Sequence, residues 1–191
     1  MKLKSLGIGA LIATLAGVVQ AHTPIIDDSA KTVRDPLVID DPEHSKAIFS
    51  TLSGEPQYYR FSSTAAFDFY AGITAPKLEA CDLQRTFSFD LLNDQLEVID
   101  SRNGDKFEWW PWYESYGKTW YWVGPEMGED FYSTEQLPAG TYYIRVQNRT
   151  NTGEYALAIG DQESMGIGTL LKLPGTLKTM RDIYWDDSEC R

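Results

Sequence analysis

The stretch "LPAGTYYIRVQNRTNTGEYALAIG", residues 137–160, alternates apolar and polar side chains in two runs around a polar turn. Tyr142, Ile144 and Val146 share one face of the first run, with Arg145 on the other. Tyr155, Leu157 and Ile159 share one face of the second. A period of two is the signature of a half-buried strand, because successive side chains on a strand point to opposite faces. The intervening "RTNTG" carries the residue types that turn a chain. The stretch reads as two strands, each burying one face.

Working outward, the same pattern recurs through residues 45–160. "SKAIFSTL" is followed by the break "GEP" and then "QYYRF". "AAFDFYAGI" sets Phe67, Phe69, Ala71 and Ile73 on one face, and "FSFDLL" and "LEVID" follow. Asn103-Gly104 predicts a two-residue hairpin turn. Many short strands separated by turn clusters predict an all-β fold, an antiparallel β-sandwich of jelly-roll or Greek-key type. Residues 22–44, with prolines and acids interrupting every apolar pair, predict an extended arm with one short strand at Leu37–Ile39. In residues 161–191, Pro174-Gly175 is expected to break any helix. Beyond it Leu177, Met180, Ile183 and Tyr184 recur at helical spacing, which predicts a short C-terminal helix packed on the sandwich.

Leu96, Val98 and Asp100, then Gly140, Tyr142, Ile144, Val146, Gly153, Tyr155, Leu157 and Ile159, resemble the strand motifs of the pre-peptidase C-terminal type of secreted bacterial β-sandwich. The resemblance covers roughly residues 45–160. It implies the sandwich fold and an accessory or binding role without catalysis. No peptidase or other catalytic domain is expected beside it, and the aromatic segment 107–122 and the tail 161–191 are additions. The spacing of Leu137, Gly140 and Tyr142 or Tyr143 also resembles a tyrosine corner, in which a phenol bonds nearby backbone, and alternation favours Tyr142.

Residues 1–21 read as a secretory leader. Lys2 and Lys4 precede an apolar run from Leu6 to Val19, and Val19-x-Ala21 supplies small residues for cleavage. The run is shorter than the ~20 residues a membrane span needs. The expected location is periplasmic or secreted. The net charge of −11 disfavours phosphate backbones and anionic lipids, and leaves cations and neutral ligands. Cys81 and Cys190, the two cysteines of the chain, are expected to pair in an oxidising compartment.

Two places carry candidate chemistry. In "FEWWPWYESYGKTWYW", residues 107–122, stand five of the six tryptophans. Trp109, Trp110, Trp112, Tyr113, Trp120 and Trp122 are candidate ligand-binding residues, since flat aromatic faces stack on sugar rings. The alternative is a pair of adjacent strands whose indoles pack into the core, although of Trp109 and Trp110 one must point outward in any strand. A neutral glycan or a protein partner suits this segment, and a purely structural domain is the third reading. The second place is the pair His22 and His44. Cleavage after Ala21 gives His22 an α-amine beside its imidazole, and His44 adds a second imidazole, with Asp41 a possible oxygen ligand. Such a set resembles the histidine brace of lytic polysaccharide monooxygenases and of β-sandwich copper carriers. Copper(II) accepts tetragonal nitrogen sites, which makes copper the candidate cofactor, for a carrier or a redox enzyme.

Other chemistries find little support. The acidic loops at 39–43, 100–105 and 124–130 lack the spacing of a calcium loop, and Arg102 stands where an oxygen ligand is needed. Neither a Gly-x-Ser-x-Gly elbow nor a His-Glu-x-x-His pair occurs. The sequence therefore predicts a non-enzymatic binding protein.

Overall fold

The two alternating runs of residues 137–160 become consecutive strands of different sheets. The structure, a computed structural model, describes residues 22–81, 83–115, 117–128, 133–162 and 167–190, with the side chains of 167–172 and 189 excepted. The expected leader lies outside the described residues. Strands β1 (Thr23–Ile26), β2 (Leu37–Val38), β3 (Lys46–Ser53), β4 (Gln57–Ser63), β5 (Phe67–Phe69) and β6 (Ala71–Pro76) form the first half. They are followed by β7 (Ser88–Leu92), β8 (Val98–Arg102), β9 (Trp110–Glu114), β10 (Thr119–Glu126), β11 (Glu135–Leu137), β12 (Gly140–Gln147) and β13 (Thr152–Ile159). Helix α1 (Ile167–Tyr184) and a 3-10 turn, Asp187–Cys190, complete the described chain.

One sheet has the order β1-β3-β13-β6-β10-β9 and the other β2-β4-β12-β7-β8, with β5 and β11 as a separate pair. The pairings are antiparallel except β1 on β3 and β2 on β4. The arm thus supplies a short edge strand to each sheet, and Pro24 is tolerated because β1 is an edge. The turn from β12 to β13 is closed by Asn148, whose Oδ1 accepts the Thr150 and Thr152 N–H groups at 3.1 and 3.2 Å.

The faces read from the sequence are the buried ones. Tyr142, Ile144, Val146, Tyr155, Leu157, Ile159, Phe67, Phe69, Ala71 and Ile73 all lie in the core between the sheets. Phe61 stacks on Phe69 with ring centroids 4.4 Å apart. Full burial of one such side chain stabilises by about 1.5–3 kcal/mol, so these faces dominate the folding energy. Tyr142 donates its hydroxyl to the Pro138 carbonyl at 2.9 Å, which is the tyrosine corner.

Within that core runs a polar chain. Tyr59 and Tyr155 meet through their hydroxyls beside Gln57 Oε1, and the Gln57 amide donates to the Thr51 carbonyl. Ser50 donates to the same Gln57 oxygen and accepts from Lys31 Nζ at 3.0 Å. Lys31 is 2% exposed, and its ammonium also donates to the carbonyls of Asp27 and Ser29 at 2.7 and 2.9 Å. Burial lowers the Lys31 pKa, against the attraction of Asp27. This side chain joins the edge pairings of β1 and β2, and the bonds from Thr51 and Tyr184 to Asp28, in tying the arm to the sandwich.

Helix α1 adds a third layer, on the outer face of the six-stranded sheet. Met180 and Tyr184 pack there on Phe49, Tyr121 and Ala156. Two expectations are corrected. The helix runs through Pro174 instead of ending before it. A proline removes one N–H and disturbs one turn, whereas the buried Leu173, Met180 and Tyr184 hold the segment on both sides. Ile183 is exposed, one position off the packed face. Asn103-Gly104 also turns the chain without making a hairpin. β8 pairs with β7 and β9 with β10, so residues 103–109 cross from one sheet to the other.

The expected disulfide is present between Cys81 and Cys190, with Cα atoms 5.6 Å apart.

Candidate functional site

The crossing at residues 103–109 places the outermost strands β8 and β9 on the same side of the sandwich. That side carries Leu96, Val98, Ile99, Phe107, Trp110, Trp112 and Tyr113. These are seven of the ten large apolar side chains exposed among the described residues, and they lie on β8, β9 and the segments beside them. Where the end of β8, the crossing, Trp110 at the start of β9 and the end of β10 come together lies a groove of about 670 Å³. Phe107, Trp110 and Val123 give it apolar walls, and Ser101, Asn103, Lys106 and Glu126 stand at its polar positions. Arg102, also in its wall, is held by Asp100 at 2.7 Å and Glu135 at 2.9 Å.

The aromatic segment folds as the sequence demands of two adjacent indoles. Trp109 points inward, 8% exposed, and its Nε1 donates to the Gly104 carbonyl at 2.8 Å. Gly124 is required beneath it, because a Cβ there would come within 2.4–2.7 Å of the Trp109 ring. Trp109 is therefore a core residue and not a ligand platform, a correction to its place among the candidates. Trp110 points outward at 37% exposure.

The register of β9 on β10 sorts the rest. Trp110 pairs with Val123 and Trp112 with Tyr121, on the outer face that α1 also covers. Pro111 pairs with Trp122 and Tyr113 with Trp120, on the opposite face. Trp122 packs against the main core with Lys77 Nζ 5.1 Å from its ring centroid. Its Nε1 is buried without a hydrogen-bond partner among the described residues. Tyr113 and Trp120 contact each other at 5.2 Å between centroids. The six aromatic candidates are thus not one platform. Trp110 and Trp112 share an exposed face, Tyr113 and Trp120 share the other, and Trp109 and Trp122 belong to the core.

A clamp holds the exposed face. Trp112 leans on Tyr121 at 5.8 Å, and Tyr121 meets Trp185 edge to face at 4.8 Å. Trp185 Nε1 donates to the Trp120 carbonyl at 2.8 Å. Burial raises the pKa of Tyr121, which stays a neutral phenol under the strand. Phe107, Lys106 and Glu126 were not singled out as candidates in the sequence. The two basic and aromatic positions lie next to the tryptophan run, whereas Glu126 reaches the groove only through the pairing of β10.

The histidines lie elsewhere, at the start of β1 and before β3. His22 Nδ1 meets the Ser45 hydroxyl, and burial pushes its imidazole down to about 4. His44 forms an isolated bridge with Gln162, and its N–H donates to the Asp41 carbonyl at 3.0 Å. Asp41 takes a left-handed backbone conformation with φ of 48°. Among the described residues no group of three or more His, Cys, Asp or Glu side chains is arranged to hold a metal.

Fold and site together define a β-sandwich with one open, aromatic side. No family model matches the chain, and no curated protein matches it. Among solved structures the chain is similar to the pre-peptidase C-terminal domain of a collagenase from Bacillus anthracis. The identity is 12% and the TM-score 0.38, over 70% of this chain and 98% of that one. That is the type of domain the strand motifs of residues 96–159 resemble. At this identity and score the likeness carries no argument about activity.

Proposed function

We propose that this chain is an exported, non-enzymatic binding protein that holds a neutral glycan on the side formed by β8 and β9. The observation that carries the reading is the groove itself. Its volume lies within the range of ligand sites, about 300–1,000 Å³. It joins aromatic walls at Phe107 and Trp110 to hydroxyl, amide, ammonium and carboxylate groups at Ser101, Asn103, Lys106 and Glu126. Sugar rings present an apolar face and a rim of hydroxyls that both donate and accept, which this mixture matches. The overall negative charge favours an uncharged ligand over a polyanion.

The Cys81–Cys190 bond supports an oxidising location, periplasmic or extracellular. Among the described residues no helix is long and apolar enough to cross a membrane. The test is intrinsic tryptophan fluorescence during titration with cello-, xylo-, malto- and chito-oligosaccharides. A saturable shift with one series, lost in Trp110→Ala but kept in Trp122→Phe, is expected. No shift with any series refutes the glycan reading.

A further inference from the structure

We infer that the glycan bound on this side is a linear chain of several sugars, laid along β9 from the groove across Trp112. The inference rests on the glycan reading above and concerns the shape of the ligand. Trp110 lines the groove, and Trp112 shares its face two residues further along the strand. Two strand residues span roughly 6.7 Å, so the two indoles form a row continuing out of the groove. At 37% and 42% exposure each ring is packed on one side and keeps part of its surface open to solvent. The chain from Trp110 to Tyr113 carries no charge, so nothing along the row repels or demands an ionised ligand.

The row is also prepared for binding. Tyr121 under Trp112 is fixed by Trp185, whose indole N–H is in turn held by the Trp120 carbonyl. A platform already ordered loses little conformational entropy when a ligand arrives.

The rival occupant, a peptide strand added to the edge of β9, is disfavoured by the backbone. The Lys77 N–H donates to the Trp120 carbonyl at 3.0 Å, so the amide groups of Trp120, and of Trp122 two residues on, face β6. Their partners Tyr113 and Pro111 then direct their backbone groups to the open edge. Pro111 has no N–H, so a docking strand finds a broken ladder there. The side chains of this strand, not its backbone, are what it offers.

The experiment is isothermal titration of the exported protein with the responding neutral series, from monosaccharide to hexasaccharide. Affinity should rise at least tenfold from disaccharide to hexasaccharide. Trp112→Ala should flatten that rise while leaving the disaccharide within twofold of wild type, and Trp112→Tyr should restore most of it. Equal affinity at all lengths, unaffected by Trp112→Ala, overturns the extended row and leaves a single-sugar groove. No heat with any member overturns the row together with the glycan reading.

Discussion

Replacing Lys31 by Met should destabilise the protein by about 3 kcal/mol. Exchanging a buried ion for an apolar isostere is often neutral or stabilising, because the ion's desolvation is avoided. Here the surroundings decide the sign. The Lys31 ammonium serves the carbonyls of Asp27 and Ser29 and the Ser50 hydroxyl, and it lies 5.9 Å from the centre of the Tyr59 ring. Methionine fills the stem but leaves those acceptors without their donor. Each orphaned buried acceptor costs about 1–3 kcal/mol. Ser50 keeps Gln57 and Ser29 is exposed enough to take water, but the Asp27 carbonyl loses its donor and the Asp27 carboxylate, 3.4 Å from the ammonium, its ion pair, so about 3 kcal/mol is the balance. Urea unfolding followed by tryptophan fluorescence measures it. With a slope of about 2 kcal/mol per molar, the midpoint should fall by about 1.5 M. A midpoint unchanged or raised would show that desolvation of the charge outweighs its hydrogen bonds, and the argument would be wrong.

Three further outcomes are expected. Cys190→Ser under oxidising conditions should cost 2–5 kcal/mol, since the bond closes a separation of 109 residues and the chain-entropy model gives about 4.8 kcal/mol for such a loop; urea midpoints with and without reductant check it. His22 is depressed from 6.5 to about 4, so the unfolded chain binds more protons between those values and stability should decline as pH falls through that window. Each unit is worth about 1.4 kcal/mol, and partial exposure discounts the total to roughly 1–2 kcal/mol; His22→Gln should flatten unfolding midpoints between pH 6.5 and 4. The histidine-brace alternative predicts, by electron paramagnetic resonance of protein beginning at His22, one axial Cu(II) signal lost in His44→Ala, and only weak, non-stoichiometric binding would end that reading.

What the sequence shows and hides follows from the range of the interactions involved. Faces of single strands are local, and alternation placed Tyr142, Ile144, Val146, Tyr155, Leu157 and Ile159 correctly in the core. The opposition of Trp109 and Trp110 follows from the same rule, though the rule does not say which is inside. That choice was made by Gly104 and Gly124, one accepting the indole N–H and the other leaving room for the ring. Sheet membership is not local. Asn103-Gly104 looks like a hairpin turn in isolation, and only the pairing of β9 with β10 turns it into a crossing. The groove exists because of that crossing, so bringing Lys106 and Phe107 against Val123 and Glu126 left no trace in spacing. Pro174 shows the converse case, in which tertiary packing overrides a strong local signal.

The bond between Cys81 and Cys190 has a consequence for the response to proteolysis. It closes a covalent ring around everything from β7 to α1, including the exposed strand β9 and the loops on either side of it. A single cut in those loops opens the ring without releasing a fragment. The two sheets go on holding both halves, and the aromatic side keeps its partners across the nick. Such a cut should be invisible on a non-reducing gel and appear as two bands once thiol is added.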